Sequence, residues 1–262
     1  MAERLVTAAW VVLSAMRTQA RAMRGSQLAI LLGAVQPMVL LVVLAGAAPA
    51  GGRTPLAAGH LVAGVGMTAL WGSTIWTAGG ILRGERVQGT LPALVTGVRS
   101  AYLVLFGKSL AATIRLTGII GATIVVAALV LRLPVRIASP FWLAAGVLAV
   151  IACGTALGML LATIFLVTRH GQHWASALMY PVFIMGGMLI PGELLPAALH
   201  WVPAVVPMHW AQRFLTSAMD GTAPLFPLLM LAGMSAGYFL LAAGLFSRVI
   251  DLARSRGTLE LS

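Results

Sequence analysis

Six long apolar runs dominate the polar and apolar pattern of the chain, near residues 28–47, 60–82, 107–132, 141–168, 174–190 and 224–247. Most reach the roughly 20 residues a helix needs to cross a hydrocarbon core of about 30 Å, and the fifth is short before Pro191. Ahead of them, Leu5, Ala9, Leu13, Met16, Ala20 and Met23 recur at helical spacing, bordered by Arg17, Arg21 and Arg24. This pattern over residues 1–27 predicts a helix in the membrane interface, with guanidinium groups at the phosphates; a surface helix in water is its alternative. The expected fold is an all-α polytopic membrane protein. It has six transmembrane helices, the N-terminal interfacial helix, a cytoplasmic helical hairpin and re-entrant extracellular half-helices before the last span.

Charge fixes the expected orientation. With the N-terminus inside, twelve of the 17 basic residues fall on the cytoplasmic side, four (Arg53, Arg132, Arg136 and Arg213) fall outside, and Arg115 is left within a span. The positive-inside rule then puts both termini in the cytoplasm. Composition agrees: 60% of residues are hydrophobic, 9% are charged and the mean hydropathy is +0.98. No water-soluble core hides that much apolar surface, so residues 1–262 form a single transmembrane domain. The net charge of +11 is spread between the apolar runs, which suits lipid headgroups and not nucleic acid. The one cysteine, Cys153, sits inside an apolar run and behaves as a small hydrophobe.

Two connections stand out. In 83–106, Gly89 permits a sharp turn, Thr90 is placed to cap a new helix and Pro92 is tolerated in its first turn. Leu91, Leu94, Val95 and Val98 form an apolar ridge on it, either a socket for a partner or one side of an interfacial hairpin. In 191–223, Pro191, Pro196, Pro203 and Pro207 break the chain into short helical pieces that Leu194, Trp201 and Trp210 keep apolar. Such pieces persist at a membrane boundary only where protein or a cavity covers their free backbone groups.

Together these features resemble the permease subunit of ABC type 2 exporters, which move drugs, lipids and polysaccharides. The family's E-R-x-x-G-T-L element after span two is matched by Glu85, Arg86, Gly89, Thr90 and Leu91, and its later Leu, Thr and Gly-Lys positions by Leu94, Thr96, Gly107 and Lys108. Its outer signature is matched by Gly187, Pro191, Pro196, Pro207 and Gly221, and the tail 254–259 resembles the usual ending. The resemblance implies a dimer, with a second copy or a related permease, in a bacterial cytoplasmic membrane. It implies a separate ABC ATPase subunit that carries the ATP and Mg, this chain binding no cofactor. Glu85 to Val98 would couple to that ATPase. Pro191, Pro196, Trp201, Pro207 and Trp210 would belong to an extracellular gate.

The remaining polar residues are few. Gly107-Lys108-Ser109 imitates the end of a phosphate-binding loop, but Tyr102 stands where its first glycine belongs. His170 and His173 have no carboxylate or thiol nearby in sequence to complete a metal site. Glu193 and Asp220 suit ion pairing with Arg213, or capping. Arg115 is either a functional charge or one that snorkels back to the interface. With Tyr180, Phe183, Met185 and Met188 it forms the candidate substrate cavity, though those four also suit ordinary packing. Gly154 and Gly158, like Gly233 and Gly237, are spaced for close helix approach. The expected activity is ATP-driven export of a hydrophobic or amphipathic compound. An ion-coupled carrier or channel would need intramembrane acids, and a membrane-embedded enzyme would need clustered acids; the chain has six in all.

Overall fold

The computed structural model describes residues 2–47, 54–96, 100–168, 171–177, 179–188, 201–222 and 225–256. Every regular element among them is helical. Helix α1 is Ala2–Ala22, and α2 runs over 27–47 with a π-helical turn at Leu31–Val35 just ahead of Pro37. Proline has no N–H to give, so the ladder slips by one residue there. The second apolar run forms α3, Pro55–Val87, with a π turn at Thr74–Ala78. Short α4 is Leu91–Thr96, α5 is Ala101–Val130 and α6 is Pro140–Val167. Next come α7, Gly171–Ala177, and α8, Met179–Met185. Then follow α9, Val202–Val205, α10, Pro207–Met219, and α11, Leu225–Arg256.

Four of these, α3, α5, α6 and the 225–252 part of α11, are long and apolar enough to cross a membrane. The chain is therefore a multi-pass membrane protein. The first apolar run forms α2 where expected, its apolar part Leu31–Ala47 being shorter than those four, and the fifth run becomes helical three residues before the expected 174. It forms α7 and α8 on either side of residue 178, which lies outside the described residues, with Pro181 inside α8 and a left-handed Gly187 after it. The fourth run forms a helix almost where expected, whereas α5 starts six residues before the expected 107 and α11 extends to Arg256.

Helices α3 and α6 form the inside of the bundle, with 72% and 67% of their apolar cores buried, against 22% and 17% for α5 and α11. The two inner helices meet where side chains are missing. A Cβ on Gly158 would lie 2.6 Å from the Ala78 Cβ, and one on Gly154 would lie 2.8 Å from Thr113 of α5. Dispersion between close backbones holds helices together in lipid, where the hydrophobic effect gives them no preference for one another. Gly233 and Gly237 have nothing within 4 Å, so that pair is turned away from the bundle. Buried hydroxyls return to their own helices: Thr68 donates to the Val65 carbonyl, Thr155 to Ile151, Thr163 to Met159 and Ser235 to Leu231. These four hydroxyls are thus satisfied within their own helices, whereas the buried Ser109 and Thr117 hydroxyls have no partner among the described residues.

Helix α1 docks on α5. Val11 and Ala15 are buried, while Val6, Trp10 and Leu13 are exposed. Gly107 decides this, because a Cβ there would lie 2.6 Å from the Val12 carbonyl oxygen and 2.9 Å from the Ala15 Cβ. Only glycine lets α1 lie so close, and the outward face keeps Trp10 with Arg17, Arg21 and Arg24.

Candidate functional site

The E-R-x-x-G-T element folds as a helix stop followed at once by a helix start. Gly89 has φ +70°, the Gly89 N–H donates to the Arg86 carbonyl at 3.1 Å, and the Thr90 N–H donates to the Glu85 carbonyl at 2.9 Å. This pair of bonds closes the end of α3 around a left-handed residue, which glycine adopts without strain. The Thr90 carbonyl then accepts from the Leu94 N–H at 3.1 Å and opens α4. Its hydroxyl donates to Glu85 Oε2 at 2.6 Å, while Glu85 Oε1 accepts from Lys108 Nζ near the start of α5. One carboxylate thus ties the end of α3, the turn and α5 together. The ion pair is largely sheltered, with 15% of the Glu85 and 14% of the Lys108 side chain exposed.

The apolar side of α4 faces inward, against the expectation of a free ridge. Leu91 is buried beside Leu82, Leu105 and Leu166, and Leu94 packs on the same cluster. The helix is too short to stand alone, and burying this side anchors it. Val95 lies within α4, whereas Val98 is outside the described residues. What the hairpin presents is its tip: Arg86, Val87, Gln88, Gly89, Thr90, Pro92 and Ala93 are exposed, Val87 by 82%. Sequence periodicity found the apolar side of α4 but not which way it turns.

Pro191 and Pro196 lie outside the described residues. Trp201 is exposed by 66% and precedes α9, while Pro207 opens α10. Trp210 is buried: its indole N–H donates to the Ala204 carbonyl at 2.9 Å, Phe226 packs edge-on at 5.4 Å and the Arg213 guanidinium lies 5.8 Å from its ring centre. Burial, reinforced by Arg213, holds the pKa of neighbouring His209 below its ordinary value. On the other side of α10, buried Gln212 donates to the Met188 carbonyl at 3.4 Å. Gly64 of α3 lies against both groups. Helix α10 ends at left-handed Gly221 with the closure seen at Gly89, the Thr222 N–H donating to Ser217 at 2.9 Å.

The proposed cavity residues do not form one site. Arg115 Nη1 donates to the Ala20 carbonyl at 3.5 Å, a cation on the last turn of α1. Phe183 and Met188 are buried with Met67, Met208 and Trp210; Tyr180 is exposed with its ring against Phe183. Met185 lies in α8. A cavity of about 520 Å³ lies elsewhere, between α3, α5, α6, α10 and the 131–139 connection. Residues such as Met67, Leu70, Ile124, Val147 and Leu215 line it. The signal missed in sequence was Gly66 and Gly121, which leave space between α3 and α5. Among the described residues no three His, Cys, Asp or Glu side chains converge as metal ligands do.

The described residues thus form a multi-pass helical bundle with a hairpin exposed at its tip. The family model for the ABC-2 type transporter matches residues 11–219. The chain belongs to the ABC-2 type transporter membrane family. No curated protein matches it.

Proposed function

We propose that this chain is the permease half of an ATP-driven exporter that moves a hydrophobic or amphipathic compound, such as a natural-product drug, a peptide or a lipid, out of a bacterial cell. It crosses the cytoplasmic membrane six times with both termini inside and works as a dimer with a second copy or a related permease. The ATP and Mg belong to a separate ABC ATPase subunit. The observation that carries this reading is the hairpin of 83–96. Its tip is exposed, its base is locked by the Glu85, Thr90 and Lys108 side chains, and α4 is seated in the bundle by Leu91. A push on such a tip moves the ends of α3 and α5 together, which is what a coupling element must do. Helix α10 and the Trp201 and Trp210 segment form the outer gate.

Co-expression with a candidate ATPase tests the reading. A complex stable in detergent is expected, and inverted vesicles holding both subunits should take up a fluorescent amphiphilic dye only with ATP, unaffected by a protonophore. Uptake that follows the proton gradient without ATP would put an ion-coupled carrier in its place.

A further inference from the structure

The cavity between α3, α5, α6 and α10 has the shape and wall of a lipid site. It extends along α5 from Thr117 to Leu129, a helical rise of roughly 18 Å, the scale of an extended acyl chain. Its volume of about 520 Å³ lies within the range of small-molecule sites. The wall is aliphatic, with Ile120, Ile124 and Leu143 among its side chains, and it narrows nowhere to a charged group. It opens sideways past Val125 and Leu129, both exposed on the membrane-facing side of α5.

Two arginines and one acid stand at this end of the cavity. Along the connection after α5 the chain alternates: Leu133, Val135 and Ile137 line the cavity, while Arg132 and Arg136 are exposed. Arg132 has φ +50°, a conformation that glycine holds more easily. The acid at this end, Asp220, is exposed and, among the described residues, pairs with neither arginine. Two exposed arginines on the connection that closes one end of an acyl-length apolar crevice match a phosphate at the end of a hydrocarbon tail.

We propose that this crevice holds one acyl chain of an anionic phospholipid, from the leaflet on the side of the 131–139 connection, with its phosphate at Arg132 and Arg136. The site stands apart from the coupling hairpin, so its occupancy does not depend on an ATPase. The lipid acts as a wedge that fixes α5 and α10 relative to α3.

Native mass spectrometry of the purified chain with phosphatidylglycerol or phosphatidylcholine of identical acyl chains tests this. Gly121→Leu fills the crevice from a position with nothing within 4 Å, and Ala128→Phe does so from the next turns. Gly118→Leu, on the same helix but outside the crevice, is the control. Either filling variant should lower bound phosphatidylglycerol about tenfold, and Gly118→Leu should leave it unchanged. The Arg132→Gln/Arg136→Gln double variant should bring phosphatidylglycerol down to the level of phosphatidylcholine. Full binding by a filled variant overturns the proposal. So does a phosphatidylglycerol preference that survives loss of both arginines. A filled variant that changes the oligomeric state and leaves lipid binding intact would make this face a contact between copies and overturns it equally.

Discussion

Gly64→Ala should destabilise the folded chain by about 3–5 kcal/mol, a large effect for one methyl group. The added carbon would collide with the Met188 carbonyl oxygen and lie 3.1 Å from Gln212 Nε2. Neither neighbour is a free side-chain end that can swing aside. The carbonyl belongs to the backbone after α8, and Gln212 is buried within α10. Overpacking of a tight interior costs about 1–3 kcal/mol, and separating the Gln212 amide from the Met188 carbonyl leaves polar atoms unpaired in apolar surroundings for about 1–3 more. Gly66→Ala, half a turn further along the same helix, meets only the Ile124 Cδ1 at 3.1 Å and should cost less than about 1 kcal/mol. Thermal unfolding of both variants in detergent checks this; equal midpoints would mean that α3, α8 and α10 do not meet as described.

Glu85→Ala should cost about 2–3 kcal/mol, because it leaves the sheltered Lys108 ammonium without its carboxylate. Truncating one partner of a fully buried pair costs more, and the residual exposure of Glu85 and Lys108 moderates it. Lys108→Met in the Glu85→Ala background should restore about half of the loss, since the uncompensated charge is then gone. Limited trypsin digestion adds a local readout: cleavage at Arg83 and Arg86 should accelerate several-fold in Glu85→Ala and slow again in the double variant. Additive losses in the two single variants would show that the carboxylate does not hold the hairpin through Lys108.

Much of the architecture was legible because it depends on local rules. Runs of apolar residues mark α3, α5, α6 and α11, and Gly89 with Thr90 marks the turn into α4, because each follows from neighbours in the chain. What escaped depends on partners far apart in sequence. The pairing of Glu85 with Lys108 spans 23 residues and needs the start of α5 to be known. The face by which α1 docks on the bundle could not be read from its own sequence, because a missing side chain on another helix, at Gly107, decides it. The inward turn of Leu91 has the same origin, since an apolar ridge looks alike whether it meets a partner or its own bundle. The fifth apolar run carries its own stop in Gly187, whose left-handed backbone follows α8 before the expected end at 190. The cavity is built by five separate parts of the chain, and Arg115, for all its charge, lies at the end of α1 and outside that cavity.

In the proposed exporter, the exposed tip of the 83–96 hairpin receives the movement of an ATPase subunit. Val87 is the sharpest probe of it, being 82% exposed and outside the core clusters, so Val87→Asp leaves the bundle intact. The measurement is ATPase activity and dye uptake of the co-purified complex, with Val87→Asp compared with wild type at equal melting temperature. Val87→Asp is expected to lose the complex, or to keep it while uptake falls at least about tenfold. A Val87→Asp complex that hydrolyses ATP and transports like wild type would contradict it.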